Sequence, residues 1–398
     1  MTRFDWDAKY GERVSHMYGS MTRQLMHLTS DPQIISFGGG LPAWDLFPVE
    51  KVKEVVDHIL DSDGAATLQY GTSEGYEPLR LAVAERYRKR GFDVSKDNVL
   101  ITCGAQQGID LVSKLFLDKG SSVLVEDPTF LTALQAFSLF QARCLTVPID
   151  EEGMRVDLLP EILKNDDVKF IYVMPNFQNP SGVTLSLARR KELLKVAQRY
   201  GVPILEDDAY GELRYSGEAV PALKELDEAE QVIYLGSFSK VLSPGLRVSA
   251  LLAPDAVMEK LVFAKQAADL HTDNLAQRIA HGFLVRNLLD PHIQVIIESY
   301  RKRRDAMFQA MDRHFPAEVT WTEPDGGIFL WVTLPDGMDA MELFGKAVQA
   351  KVAYVPGSCY YANGGGENKM RVNFSACDEQ KIQIGIERLA KVIIGNLP

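Results

Sequence analysis

From Asn98 to about Pro254, short apolar runs alternate with stretches of helical period. The runs fall at 99–102, 122–125, 143–147, 169–173, 202–206, 231–235 and 246–252. Apolar runs this short, separated by helical periods, predict a mostly parallel sheet wrapped by helices. Val49 to about Leu60 predicts an amphipathic helix leading in, and Ile109 to Leu117 another inside the alternating region. Beyond it, Pro291 opens a long charged helix to about His314, whose Arg301-Lys302-Arg303-Arg304 cluster reads as a solvated face. Ile328–Val332 and Met370–Phe374 alternate as strands of a half-exposed sheet, with helices around 339–350 and 378–393. The fold class is α/β. A large domain, 49–288, carries a seven-stranded, mostly parallel sheet, and the arm 1–48 packs with 289–398 as a smaller α+β domain. Gly364-Gly365-Gly366 reads as a turn, and there are no repeats.

Composition narrows the class. Of 398 residues, 46% are hydrophobic and 24% charged, the balance of a soluble globular protein. A net charge of −11 without a basic block argues against nucleic acid as partner. Cys103, Cys144, Cys359 and Cys377 have no metal-ligand spacing, so no metal is expected and a reducing cytosol fits. No apolar run reaches membrane length, and the first residues do not read as a signal peptide, which points to a cytoplasmic protein.

The chemistry concentrates at strand ends. After the run 231–235 comes Ser237-Phe238-Ser239-Lys240, with Arg247 seven residues on. Two hydroxyls and a planar guanidinium suit a phosphate. A lysine beside them suits a Schiff base to pyridoxal 5'-phosphate (PLP). Such a cofactor needs a carboxylate at its ring nitrogen. The apolar run ending in Glu206-Asp207-Asp208-Ala209-Tyr210 supplies Asp207, with Glu206 and Asp208 as alternatives and Tyr210 as donor to the ring's phenolate oxygen. Asn179, with Asn176 as competitor, ends another strand and can bond the same oxygen. Cys103-Gly104-Ala105-Gln106 lies between a strand and a helix, where backbone N–H groups and the helix dipole receive an anion. Phe130, after Glu126-Asp127-Pro128-Thr129, can stack on the cofactor or simply fill core. Arg371, inside an apolar strand, is a natural receptor for an α-carboxylate, and Gly40 lies in a glycine run where a substrate can approach the backbone.

With these strand ends in sequence order, the chain resembles the fold-type I PLP enzymes, specifically the class I/II aminotransferases. Within them it is most similar to the branch holding 2-aminoadipate and kynurenine aminotransferases. Its anchors are Gly38-Gly39-Gly40-Leu41-Pro42, Leu68-Gln69-Tyr70-Gly71, Gly104-Ala105-Gln106-Gln107, Pro175 to Gly182, Asp207-Asp208-Ala209-Tyr210, Ser237-Phe238-Ser239-Lys240 with Arg247, and Met370 to Ser375. The resemblance implies transamination between an L-amino acid and a 2-oxo acid such as 2-oxoglutarate, by a ping-pong scheme in which Lys240 moves the α-proton. It implies a homodimer with shared sites, Tyr70 reaching the partner's cofactor phosphate. It also implies that Arg23 reaches toward a substrate's distal carboxylate. Ala105 stands where relatives often carry serine, and Phe130 where tyrosine is common. Alternative readings are a PLP-dependent lyase on the same fold, a protein with a dead site, and a PLP-sensing regulator. The regulator would need a DNA-binding module ahead of Val49, where about four dozen residues stand.

Overall fold

The computed structural model describes residues 4–16, 31 and 33–398. The chain enters the fold at a two-residue strand, β1 (Ile35–Ser36), followed by the helix Val49–Thr67. This helix outruns its expected end near Leu60. Val55 and Ile59 bury its apolar stripe, and the last turn follows a kink at Asp63, where φ is −153°.

The seven apolar runs form strands, joined by one more. They are β2 (Val99–Thr102), β3 (Ser122–Asp127), β4 (Arg143–Asp150), β5 (Gly153–Met154), β6 (Val168–Val173), β7 (Ile204–Asp208), β8 (Val232–Ser237) and β9 (Ser249–Leu252). Their order across the sheet is β2-β9-β8-β7-β6-β3-β4-β5. From β4 through β3, β6 and β7 to β8 every pair is parallel, while β9 runs against both of its neighbours. The eighth strand, β5, is a two-residue antiparallel addition to the β4 edge, too short to show a period. The run 246–252 becomes a strand only at Ser249. Arg247 has φ 53°, a left-handed conformation that ends the turn Pro244–Leu246 and cannot continue a strand.

Successive residues of the central strands enter different cores. Val123, Val125, Phe170, Tyr172 and Leu205 face one cluster, and Leu124, Ile171, Val173 and Ile204 the other. Both faces are apolar because helices cover both, which is why these strands read as unbroken runs.

The remaining strands are β10 (Thr320–Trp321), β11 (Phe329–Thr333), β12 (Val352–Ala353), β13 (Val355–Pro356) and β14 (Lys369–Asn373). Four of them form an antiparallel sheet ordered β10-β11-β14-β13, while β12 pairs in parallel with β1. The long helix spans Leu289–His314, two residues ahead of Pro291, which is tolerated in a first turn. Its basic cluster is not a single solvated face. Arg301 and Lys302 are exposed, but Arg303 and Arg304 are buried. Arg303 donates to the Ser375 carbonyl at 2.6 Å and to Asp45 at 2.7 Å, and Arg304 to the Pro324 carbonyl at 3.0 Å. At 3.6 residues per turn four consecutive positions surround the helix, so two of them must meet protein. Among the described residues no helix is long and apolar enough to cross a membrane.

Candidate active site

The row of acids on β7 is sorted by the pleat. Glu206 and Asp208 share one face, and Asp207 takes the other, with Leu205 and Tyr172. Glu206 accepts the backbone N–H groups of Leu223 and Lys224, both at 2.8 Å. Asp208 accepts from Asn176 Nδ2 at 2.9 Å and Tyr234 Oη at 2.8 Å. Both are thereby committed to holding protein. Asp207 accepts from Tyr172 Oη at 2.8 Å through one oxygen, while its other oxygen, Oδ1, is buried without a partner among the described residues. Burial pushes the Asp207 carboxyl up to about 7; the Tyr172 hydrogen bond opposes this, Asp208 adds to it, and Lys240 opposes it. Asn176, the competitor to Asn179, is tied to Asp208 and also accepts from Arg190 at 2.7 Å.

Lys240 lies in the turn after β8. Its Nζ donates to the Gly40 carbonyl at 2.7 Å and stands 6.0 Å from the centre of the Tyr210 ring. Burial pushes this amine down to about 8, with Arg371 and Arg247 adding to the effect and Asp207 opposing it. Arg371, on β14, donates to the Gly38 carbonyl at 2.6 Å and to Asn179 Oδ1 at 2.9 Å. Its guanidinium carbon sits 4.0 Å from the centre of the Phe329 ring, and its Nε is buried without a partner among the described residues. The glycine run therefore meets two cations from distant parts of the chain, one at Gly38 and one at Gly40. Asn179 also shares a side-chain hydrogen bond with Tyr210, whose hydroxyl is pushed well above its ordinary pKa by burial.

A second group of expected residues gathers at the end of β2. Gly104 caps the helix Ala105–Phe116 with φ 78°, so the helix starts four residues earlier than Ile109. A Cβ on Gly104 would fall inside the Arg247 guanidinium, so only glycine lets the two approach. Arg247 Nη2 donates to the Cys103 carbonyl at 3.3 Å. The N–H groups of Ala105 and Gln106 open the helix, where they have no partner within it. The Gln106 side chain turns away to the Thr132 carbonyl at 2.9 Å, which leaves its backbone N–H. Ser237 Oγ accepts from the Ser239 N–H at 3.2 Å and from Ser249 Oγ at 3.0 Å, which holds the serine turn closed.

Of three further expected residues, two are described. Phe130 caps the helix Leu131–Leu139, partly buried against the core. Tyr70 is 78% exposed, its ring edge against His271 at 5.8 Å and its hydroxyl without a partner among the described residues. Arg23 lies outside the described residues.

Three contributors escaped the sequence. Tyr172 holds Asp207, Phe329 underlies Arg371, and the Gly38 carbonyl receives Arg371. Only Tyr172 left a signal: a tyrosine inside a buried apolar run needs a hydrogen-bond partner.

Known proteins resemble this chain along nearly its whole length. A family model described as aminotransferase class I and II matches residues 33–389. The aromatic-amino-acid aminotransferase 1 of Thermococcus litoralis is 45% identical over 395 residues, covering 98% of this chain and 95% of its own length. The 2-aminoadipate transaminase of Thermus thermophilus is 44% identical over 400 residues, covering 100% and 99%. The crystal structure of an α-aminoadipate aminotransferase from Thermus thermophilus, complexed with N-(5'-phosphopyridoxyl)-L-leucine, has a TM-score of 0.93 at 44% identity. That match covers 98% of this chain and 99% of the other.

Proposed function

Since this chain belongs to the class I and II aminotransferases, which take PLP, we propose that it exchanges the amino group of an L-amino acid with a 2-oxo acid such as 2-oxoglutarate. Its donors would include 2-aminoadipate, aromatic and branched-chain amino acids. The observation that carries this reading is the convergence on one glycine run: the Lys240 amine at Gly40 and the Arg371 guanidinium at Gly38, with the buried Asp207 carboxyl near enough to the lysine for each to shift the other's pKa.

The residues fit PLP. A buried carboxylate oxygen without a partner suits a protonated ring nitrogen, and Asp207 Oδ1 is such an atom. The close pairing of Gly104 with Arg247, beside the helix N-terminus and the Ser237–Ser239 turn, suits the phosphate. Backbone N–H groups of Ala105 and Gln106 would carry more of that load because Ala105 has no hydroxyl. Tyr210 and Asn179 Nδ2 would donate to the phenolate oxygen, and Phe130 would lie against the ring.

Bound there, PLP supplies an electron sink that acidifies the α-C–H of an amino acid. Arg371 would bind the α-carboxylate with its two Nη groups, held flat by Phe329 and Asn179. Gly40 allows the substrate backbone close approach. Lys240 would hold the cofactor at rest and, once displaced by the incoming amine, take the α-proton on Nζ and return it. An amine with a pKa near 8 suits this, since both its states are populated close to neutral pH. Asp207 would keep a proton on the ring nitrogen, and Tyr172 would fix the orientation of that carboxylate.

The test is a panel of amino donors with 2-oxoglutarate. Glutamate alone should give single-turnover conversion to its 2-oxo acid, and initial-rate plots should show the parallel lines of a ping-pong scheme. Elimination or ring-forming products without amino transfer would select the lyase reading.

The working unit would be a homodimer. Tyr70 is exposed beside the equally exposed Leu68, and its ring meets His271, next to Thr272, whose hydroxyl donates to the Ile101 carbonyl of β2. That places Tyr70 on the segment flanking the strand that enters the Gly104 turn, from where it would reach the other subunit's phosphate. Lys240→Ala and Tyr70→Phe parents should each be impaired. Mixing them should restore up to about a quarter of normal activity, since half the dimers are hybrids with one intact site of two. Activity no higher than that of the parents would mean that Tyr70 serves its own subunit or neither.

A further inference from the structure

Behind the Gly104 turn lies a lysine that no step above uses. Lys265, in the helix Asp255–Asp269, has no solvent exposure along its side chain. Its ammonium is met by Asp269 at 2.8 and 3.0 Å and by Gln107 Oε1 at 2.9 Å. Asp269 Oδ2 in turn accepts from Gln107 Nε2 at 2.7 Å. The Gln107 amide is thus clamped at both ends, its oxygen toward the lysine and its nitrogen toward the carboxylate. The same Oε1 accepts the backbone N–H of Cys103 at 2.7 Å, and the Cys103 carbonyl accepts from Arg247. The peptide groups on both sides of Cys103 are therefore held, immediately before Gly104. Only the lysine of this pair is buried, since Asp269 is exposed, and such a pair adds little net stability; its better-attested use is to fix one arrangement.

We propose that Lys265 is a positioning residue for the cofactor phosphate, holding the Cys103–Gly104 turn through Gln107 in the conformation that aims the Ala105 and Gln106 N–H groups and Arg247 at one anion. The inference rests on reading the Gly104 turn as the phosphate site.

Apoprotein would be titrated with PLP and with pyridoxal, which lacks the phosphate, by absorbance. Lys265→Met should raise the dissociation constant for PLP about tenfold and leave that for pyridoxal unchanged, since only the phosphate reads the turn. Gln107→Leu removes the same clamp from its other end and should give the same pattern, so it decides the matter if Lys265→Met does not fold. Unchanged PLP affinity in folded variants, or equal loss for both ligands, overturns the proposal; equal loss would mean that the clamp only supports the scaffold. Arg247→Ala separates the two levels. If it weakens PLP selectively while the clamp variants do not, the inference alone falls. If it has no selective effect on PLP, the phosphate reading falls and takes the inference with it.

Discussion

Lys240→Ala protein is expected to keep its fold, bind PLP weakly and lose transamination by about ten-thousandfold or more. General acid–base groups typically contribute 10²–10⁴, and Lys240 is the amine in contact with Gly40 beside Tyr210. No nearby group can replace it. Arg371 and Arg247, the neighbouring cations that push its pKa down, are donor-only guanidinium groups with no lone pair to offer a proton. Removing a partly buried ammonium from this cationic neighbourhood should leave the apoprotein's thermal midpoint equal or higher, which separates lost chemistry from lost folding. Borohydride treatment of the loaded parent should fix the cofactor to one peptide, the one containing Lys240. A label on any other lysine, or substantial turnover by Lys240→Ala, would remove Lys240 from the centre of the reaction.

Much of this site was legible because the central strands are buried on both faces. Unbroken apolar runs marked β2, β3, β6 and β8, and the polar residues at their ends marked the sheet edge where ligands sit in open α/β folds. The same double burial hid the choice among Glu206, Asp207 and Asp208. With both faces apolar, the pattern along β7 does not say which of the three acids meets Tyr172, and that depends on the neighbouring strands. Tyr172 meets Asp207 because β6 and β7 pair in one register, Tyr172 beside Leu205. That registration is a long-range outcome, as is the bond between Arg371 and Asn179 across 192 positions of sequence. The clamp of Lys265, Asp269 and Gln107 shows the same division. Lys265 and Asp269 are four apart on one helix and readable as a pair, but their contact with Gln107 depends on how two helices meet.

Asp207→Asn should separate the needs of the folded apoprotein from those of the reaction, moving the two in opposite directions. In the apoprotein the Asp207 carboxyl has a pKa of about 7, against an ordinary value of ~3.9 in an unfolded chain. Between those values the folded state binds the extra proton, so this residue's contribution to stability falls as pH rises from about 4 to about 7 and stays low above that. Asparagine carries no charge and removes the dependence. The Asp207→Asn apoprotein should therefore melt near the parent at pH 4–5 and several degrees above it at pH 8, on the order of 3 kcal/mol of relief. It can still accept from Tyr172 through its amide oxygen, so the contact at 2.8 Å need not be lost. Turnover should move the other way. Without a carboxylate the ring nitrogen loses the partner that keeps it protonated, and kcat should fall about a thousandfold, roughly 4 kcal/mol of barrier. Added PLP should also stabilise the parent more than the variant, because it gives the buried Oδ1 its missing partner. Near-normal turnover in Asp207→Asn would reassign the ring nitrogen to Glu206 or Asp208, against the hydrogen bonds that already occupy both. A variant less stable than the parent at pH 8 would mean instead that Asp207 is ionised and paired even without the cofactor.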